Sequence, residues 1–462
     1  MILVSFIALL AYLVLYLTLL HRIVLKGQFH YVLVYMIFFL SVYTVFISLV
    51  HSGIEVKGIT LLVQYSKEVL ILGAWVLYLL TFRNLLKVKW DLQPLDYLFL
   101  AFLFLTTVFL LLPIGPASFL SKAVYTKNIL LIMAAYFFGR NVRITQAQWH
   151  QIFQGIGWLT LTGSCLIILE ALFGTHFHGL IGFADYQLDI HGLEPAGPYN
   201  LTWTFVASGG QARYASFFAN PLELSASMLL SVAIGFYYFS KSSRRNNQKF
   251  YLLVLGAGLV CVLLAYSRAS FVAVFICGVF MAYLLRYYGV LIAIATVFFL
   301  SILWLVTLAP RDIQYFVLDT ISFRESSSIT HAIEWFEAIE TIQQFPLGLG
   351  MSTSGNAGGV ESELKVGGEN QFLIFGVQFG LIGLLLYVSM YIGSIFTAMK
   401  VFLRNRRHQL SVIPFVASAV KVGLFLPLMT ANAEIYLYIS LVSWWLAGYS
   451  LQLEKRIISG RQ

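Results

Sequence analysis

The chain has 462 residues, of which 60% are hydrophobic, 16% aromatic and only 11% charged, with a mean hydropathy of +0.84. A soluble domain is close to half apolar and a quarter charged, so this composition excludes a soluble enzyme and a disordered tail. The apolar runs of about 20 residues have the length of a helix that crosses a bilayer core. They predict an all-α, polytopic integral membrane protein. The three cysteines lie within these runs, which excludes a disulfide-stapled secreted module.

About thirteen candidate spans follow one another along the chain. We place them at 1–20, 29–50, 59–82, 94–112, 123–139, 150–173, 217–240, 250–267, 269–286, 288–309, 371–399, 411–430 and 433–451. One of the short pairs could be re-entrant, so we expect about 12–13 transmembrane helices. The first run lacks a basic start and a small-residue cleavage site, and we expect it to be a retained helix.

Lys and Arg residues divide unequally between alternate loops. One set of loops holds 19 of the 29, whereas the other set, whose loops are much longer, holds 7. Because cytoplasmic loops are enriched in Lys and Arg, we predict an external N-terminus and a cytoplasmic C-terminus. The net charge of +9 then follows from topology and gives no indication of nucleic-acid binding.

Two long loops, 174–216 and 310–370, fall on the predicted external side, where binding and catalytic residues are most often found. They separate N-terminal helices (1–173), central helices (217–309) and C-terminal helices with a short cytoplasmic tail (371–462). The second loop has helical apolar spacing from Ser328 to Phe345, which Pro346 and the following glycines end. We expect an amphipathic helix on the outer membrane face or over the bundle mouth.

Ionisable residues fall within several predicted spans, among them Lys67, Glu68, Lys127, Glu170 and Lys421. Each costs about 2.5–3.5 kcal/mol in a bilayer, so each needs a partner or a function. Lys67 and Glu68 are neighbours on different helix faces, and we expect each to find its partner elsewhere. These residues leave open a transporter or flippase for a lipid-linked or amphipathic substrate, although no internal repeat supports one.

Arg213 and Arg268 lie at the predicted external ends of spans. A guanidinium group is always charged and presents a planar fork that suits phosphate oxygens. The two could hold a lipid-linked diphosphate at headgroup level, and the alternative for either one is ordinary headgroup anchoring. The turn around Arg268 (Ser267–Ser270) leaves almost no loop, so we expect this side chain to be held rigidly.

The second loop is acidic, with Glu325, Glu334, Glu337, Glu340, Glu361, Glu363 and Glu369 against Arg311, Arg324 and Lys365. For the three glutamates of the helix we favour a solvated face. Glu369 differs because it directly precedes Asn370 and a span, and a carboxylate held there could act as a general base. His331, the only histidine of this loop, is the alternative base. The histidines of the first loop have no carboxylates at metal-ligand spacing, so we predict no metal site.

Three separated patches carry a resemblance to a known family. The segment RYASFFANPLELSASMLL (213–230) is similar to the pattern Arg-x-x-Gly-x-Phe-x-x-Pro-Asn, with Ser216 for Gly and Leu222 for Asn. The segment YSRASFVAVFICG (266–278) is similar to a Ser-Arg-Gly turn, with Ala269 for Gly.

The third and strongest patch joins EWFEAIETIQQFPLGLGMSTSG (334–355) to GGENQFLIFGVQFGLIGLLLYV (367–388). It is similar to a Trp-x-x-Ala helix, a Pro-x-x-Gly-x-Gly turn and a His-Asn-x-x-Leu motif before a Gly-rich span. In order and spacing, the three patches resemble the O-antigen ligase and O-antigen polymerase superfamily of bacterial membrane glycosyltransferases.

The resemblance implies a GT-C-like, metal-independent transferase without a cofactor. It would move an O-antigen or exopolysaccharide glycan from undecaprenyl diphosphate to a glycan or lipid-linked acceptor. The reaction would take place at the external face of the bacterial cytoplasmic (inner) membrane. Arg213 and Arg268 would hold the diphosphate and stabilise the leaving group. The family's catalytic histidine is Glu369 here, so we expect Glu369 to be the base, with His331 as the alternative.

Three further residues are candidates for substrate binding: Asn370, Lys67 and Trp335, the last by stacking on a sugar. The assignment also allows a chain-length regulator or export components as partners. Because Glu369 replaces the family histidine, a non-catalytic role in polysaccharide export is a further alternative.

Overall fold

The computed structural model describes residues 2–81, 92–207, 210–242, 244–311, 314–315, 318, 326–355 and 365–458. Within these residues the secondary structure is helical apart from two isolated bridges, Ala196 with Leu201 and Val206 with Ala212. The predicted all-α, polytopic architecture is confirmed. Four of the second-loop residues named above lie outside the described residues: Arg324, Glu325, Glu361 and Glu363.

The two long loops separate the helices into groups. The N-terminal group contains α1 (Ile2–Val24), α2 (His30–Phe38), α3 (Tyr43–Ile54), α4 (Lys57–Thr81), α5 (Pro94–Leu111), α6 (Phe119–Asn141) and α7 (Gln146–Phe173). The first loop contains α8 (Phe177–Leu180) and α9 (Phe183–His191). The central group contains α10 (Pro221–Lys241), α11 (Arg245–Leu264), α12 (Arg268–Leu285) and α13 (Tyr288–Thr307). The second loop contributes α14 (Ser326–Gln344), and the C-terminal group contains α15 (Gln371–Arg404), α16 (Val412–Thr430) and α17 (Leu437–Ile458).

Ten helices in the described chain are long and apolar enough to cross a membrane. The pair α2 and α3, bent by 64°, would bring the number to 11 if it forms one span. Every predicted span coincides with one helix or with this pair. The two predicted spans beyond the 11 are α6 and α17, which have 23 and 22 residues and contain more polar side chains.

The helices α6 and α17 pack closely against each other, which suits their more polar composition. A Cβ atom at Gly139 of α6 would lie 2.1 Å from the carbonyl oxygen of Trp445. Likewise, a Cβ atom at Gly448 of α17 would lie 2.2 Å from the carbonyl oxygen of Tyr136. Small residues at such a crossing let two helix backbones approach closely. By contrast, α13 has no buried residue along its length.

The second loop enters the bundle after α14 and packs against a break in α15. Gly380 has φ 70° and ψ −169°, so the helical hydrogen bonds are interrupted there. The N–H of Leu349 donates to the carbonyl of Val377 at 2.8 Å, and the N–H of Leu381 donates to Pro346 at 2.9 Å. A Cβ at Gly380 would lie 2.2 Å from the Pro346 oxygen. The glycine therefore allows the loop backbone to satisfy groups that the break leaves without helical partners.

Candidate active site

Arg213 and Arg268 are held by neighbouring turns at one end of the bundle. The N–H of Arg213 donates to the carbonyl of Phe205 at 2.9 Å, and the N–H of Tyr214 donates to Leu264 at 3.3 Å. Leu264 is the last residue of α11, and α12 begins at Arg268. Both arginine side chains are half-buried. We refer to the end of the bundle that carries the two long loops as the loop end.

The segment after Arg213 is fixed by Ser216, which has a left-handed backbone with φ 54°. Its N–H donates to a carboxylate oxygen of Glu170 at 2.8 Å, and its hydroxyl donates to the carbonyl of Gly163 at 3.0 Å. Left-handed φ favours glycine, which explains why the resembled pattern has Gly at this position. The two hydrogen bonds offset the cost of a serine there.

Arg268 stands in the first turn of α12, which a serine caps. The Ser267 hydroxyl accepts from the N–H of Ser270 at 3.4 Å, and the hydroxyls of Ser225 and Ser270 lie 2.8 Å apart. The second contact joins α12 to α10 just below the arginine. Capping and this cross-link agree with the expectation that Arg268 is held rigidly.

Glu369 and His331 contact each other across the second loop. The His331 Nδ1 atom and a carboxylate oxygen of Glu369 form an ion-pair contact. The side chain of Glu369 is 41% exposed and that of His331 is 23% exposed. The two residues that the sequence offered as alternative bases are thus brought together, and each keeps access to solvent.

Glu334 belongs to the same group and does not lie on a solvated helix face as we expected. Its side chain is half-buried, and its carboxylate accepts a hydrogen bond from the backbone N–H of Glu369. Burial raises the pKa of the Glu334 carboxyl, the charge of Glu369 adds to the rise, and His331 opposes it. The reason is that α14 packs on α15 through Ala338 and Ile342, which turns Glu334 inward.

Asn370 and Trp335 flank this group. The side-chain oxygen of Asn370 caps α15 by accepting from the N–H groups of Phe372 and Leu373 at 3.0 and 3.2 Å. Asn370 thereby fixes the helix start that follows Glu369. Trp335 is half-buried, and its indole N–H is buried without a hydrogen-bond partner in the described part of the chain. An indole in this state retains a donor for a ligand.

Tyr436 connects the two loops at the loop end. The charges of Glu369 and Arg213 both act on its hydroxyl, as does that of Glu223 in the first turn of α10. Burial is the main cause of the raised pKa of Tyr436; the two carboxylates add to it and Arg213 lowers it. The cation of the first loop and the carboxylate of the second therefore belong to one electrostatic neighbourhood.

The sequence analysis missed Tyr436 and Glu223. Tyr436 follows a short turn (Ala433–Ile435) between two apolar helices, and nothing in its local sequence distinguishes it. Glu223 did give a signal, since it is an acidic residue inside a predicted span. Its carboxylate accepts from the backbone N–H groups of Ala219 and Tyr438, which joins the starts of α10 and α17.

Lys67 lies in a different cluster, between α4 and α6, and the expectation that it would not pair with Glu68 was wrong. The Lys67 ammonium lies 3.5 Å from a Glu68 carboxylate oxygen, and the Lys127 ammonium lies 2.7 Å from the same oxygen. Lys67 also donates to the carbonyl of Gln64 at 2.7 Å, so its long side chain folds back along its own helix. Such flexibility lets helix neighbours meet even though their Cβ atoms diverge.

Residues 250–388 match a family model described as O-Antigen ligase. No curated protein matches the chain. The matched segment contains Arg268, α14 and Glu369, whereas Arg213 and Tyr436 lie outside it. The match confirms the resemblance to the O-antigen ligase and polymerase superfamily and supports an O-antigen ligase type of glycosyltransferase activity.

Proposed function

We propose that this protein transfers a glycan from an undecaprenyl-diphosphate donor to an acceptor hydroxyl at the external face of the bacterial cytoplasmic membrane. The family match supports the type of reaction. The observation that carries the proposal is that the charges of Arg213 and Glu369 both act on the buried Tyr436 hydroxyl. A cation and an accessible carboxylate in one neighbourhood are the two groups that such a transfer needs.

In the proposed reaction the acceptor oxygen attacks the sugar C1 of the donor. The bond between C1 and the diphosphate oxygen breaks, and its electron pair leaves with the diphosphate. Arg213 and Arg268 compensate the charge that develops on this leaving group, because fixed guanidinium groups require no reorganisation during the reaction. Backbone hydrogen bonds hold the segment of Arg213 and a serine cap holds the helix start at Arg268, so the backbone from which each side chain projects is fixed.

The proton of the acceptor hydroxyl goes to Glu369. His331 contacts this carboxylate, so we assign it the role of orienting Glu369 and sharing the proton. Glu334 is a positioning residue, because it holds the backbone N–H of Glu369. We therefore regard Glu369 and His331 as one pair rather than as alternative bases.

The helix α14 would bring this pair to the level of the lipid headgroups. Its apolar residues Ile329, Ile333 and Phe336 are exposed, while its other side packs on α15. An exposed apolar face on an amphipathic helix suits the outer leaflet. Trp335, on the same helix, would then stack on the sugar and donate its indole N–H to a hydroxyl.

The experiment that tests the proposal is Arg268→Gln, with Arg286→Gln as the matched control. Arg286 ends the same helix at the opposite side of the bundle and is exposed. In a strain lacking this gene, we expect Arg268→Gln to lower polymer formation by about 10²–10³-fold while the protein remains inserted. The control should restore polymer as the unmodified protein does. Full-length polymer from Arg268→Gln would overturn the proposal.

A further inference from the structure

The proposed reaction does not use the buried charge cluster formed by Lys67, Glu68 and Lys127. Lys67 and Glu68 are buried in α4, and Lys127 projects from α6 toward them. Lys67 lies about 15 Å along α4 from its start at Lys57, since each helical residue rises 1.5 Å. Lys57 follows the short turn after α3 on the predicted external side. The cluster therefore lies within the predicted outer leaflet, below the loops.

The cluster has an excess positive charge. Glu68 is the only carboxylate that pairs with the two lysines in the described chain, and both ammonium groups contact one of its oxygens. The other oxygen is buried without a hydrogen-bond partner in this part of the protein. Leaving a net charge in an apolar environment is costly, so an anion that neutralises it would bind favourably.

The two lysines differ in what they can still bind. Lys67 also donates to the hydroxyl of Tyr43 at 3.1 Å and to the carbonyl of Gln64 at 2.7 Å, which uses its three N–H groups. Lys127 donates one hydrogen bond within the described residues, to Glu68, and its side chain is 25% exposed. An ammonium group has three donors, so Lys127 retains donors for a ligand.

The surface beside Lys127 is apolar and open to the lipid side. Leu62, Tyr65 and Val69 of α4 are exposed at helical spacing, and Val124 of α6 is also exposed. The Lys127 ammonium lies 5.5 Å from the centre of the Tyr65 ring. A ligand at this position would place an anionic group on Lys127 and an apolar chain along α4. A phosphate-bearing lipid has both of these parts.

The first loop connects this cluster with the donor arginine. Its helix α9 is fixed to α3 by the contact of His51 with Asp189 at 3.0 Å. Burial lowers the pKa of His191, at the end of α9, and the charge of Lys67 lowers it further. The chain that leaves α9 near Lys67 therefore continues to Arg213. A lipid held at Lys127 would present its headgroup beneath the same loop.

We propose that Lys127, supported by Lys67 and Glu68, binds the phosphate of a second polyprenyl-linked substrate, the acceptor. The identity of the substrate rests on the proposed function, whereas binding of a lipid phosphate does not. A polymerising transferase must hold two lipid-linked glycans together, one that leaves its diphosphate and one that keeps it.

The test measures binding of undecaprenyl monophosphate to the purified full chain by native mass spectrometry. We expect two bound lipids on the unmodified protein and a second event that Lys127→Gln weakens about tenfold. Lys127→Gln leaves Lys67 paired with Glu68, so the fold should persist, and Lys127→Arg should restore binding. The matched control is Lys57→Gln, at the exposed start of α4, which should bind as the unmodified protein does.

Three results separate the possible outcomes. Unchanged binding by Lys127→Gln would overturn the proposal. Equal displacement by phosphatidylglycerol would also overturn it, because the site would then take ordinary phospholipid headgroups. The third result combines two variants: Lys127→Gln loses the second binding event, and Arg268→Gln still forms polymer. This combination would support the lipid site and reject the proposed function. In a transfer assay, Lys127→Gln should raise the KM for the acceptor and leave that for the donor unchanged.

Discussion

Glu369 and Glu434 are neighbouring carboxylates in very different surroundings. The backbone N–H of Glu434 donates to the side chain of Gln371, two residues after Glu369, at 3.3 Å. Glu434 is 8% exposed, and its oxygens accept from Tyr387 at 2.5 Å, from Trp444 at 3.0 Å and from Ser440. Glu369 contacts His331 and keeps 41% of its side chain exposed.

This difference teaches how to separate structural from chemical charges in a membrane bundle. A carboxylate whose oxygens are filled by protein donors stabilises the fold and has no capacity left for a substrate. Asp96 is a second example, buried with the Tyr136 hydroxyl and the Arg140 guanidinium. A carboxylate whose backbone is fixed but whose oxygens remain accessible to solvent can accept a proton from a ligand. Glu369 meets this second description.

The largest effect should come from Glu369→Gln. The change removes the proton acceptor and keeps nearly the same shape, so we expect the transfer rate to fall by about 10²–10⁴-fold. The melting temperature in detergent should stay close to that of the unmodified protein, because the side chain is partly exposed.

The readout for Glu369→Gln is polymer formed in complemented cells, together with the transfer rate of the purified protein. His331→Gln serves as the companion variant, because it removes the group in contact with the same carboxylate. A near-normal rate for Glu369→Gln with a large loss for His331→Gln would make His331 the base.

Glu434→Gln should show the opposite behaviour. It removes the carboxylate whose charge acts on the buried Lys421; the ammonium of that lysine lies 3.1 Å from the centre of the Trp444 ring. Leaving a buried charge uncompensated costs about 3–5 kcal/mol, so the melting temperature should fall clearly. The folded fraction should still catalyse transfer.

Two variants sharpen the result for Glu434. In the double variant Glu434→Gln with Lys421→Met no buried charge remains, and much of the lost stability should return. Glu454→Gln is the matched control, since Glu454 pairs with Arg404 at 2.8 Å in an exposed bridge worth about 0–1 kcal/mol. If Glu434→Gln abolished transfer without lowering the melting temperature, the distinction between the two carboxylates would be wrong.

Much of the fold was predictable because membrane helices are specified by length and apolarity. Each predicted span is a helix or a bent pair, and α14 begins two residues before its predicted start at Ser328. Arg213 and Arg268 could be singled out from the sequence because a permanent charge at the end of a span is conspicuous; their role stays a prediction. The match to the O-Antigen ligase model then confirmed the resemblance.

The rest depends on which helix faces meet, and single-sequence periodicity does not report this. Tyr436 gains its importance from Arg213 and Glu369, which are distant in sequence. Glu334 has the same helical spacing as Glu337 and Glu340, yet only packing on α15 turns it toward Glu369. The importance of such residues comes from tertiary contacts and not from their own type.

The smallest effect we predict is that of Glu334→Gln, which tests whether the charge or the hydrogen bond of Glu334 matters. A glutamine oxygen can still accept from the N–H of Glu369, so the fold and the position of Glu369 should be retained. Because the negative charge beside Glu369 is lost, the transfer rate should change by about tenfold or less. Glu334→Ala removes the hydrogen bond as well and should cost more.

The pH dependence of stability gives an independent readout for Glu334. Its pKa is raised in the folded protein, mainly by burial and further by Glu369, so the folded state binds a proton more tightly than the unfolded chain. The stability from this group is therefore complete below its unfolded pKa and is lost as pH rises through the folded value. As pH increases from about 4 to 7, the melting temperature of the unmodified protein should therefore fall relative to that of Glu334→Gln. A constant difference over this range would show that the charge of Glu334 does not interact with Glu369. The role of Glu334 would then be limited to its hydrogen bond with the backbone of Glu369.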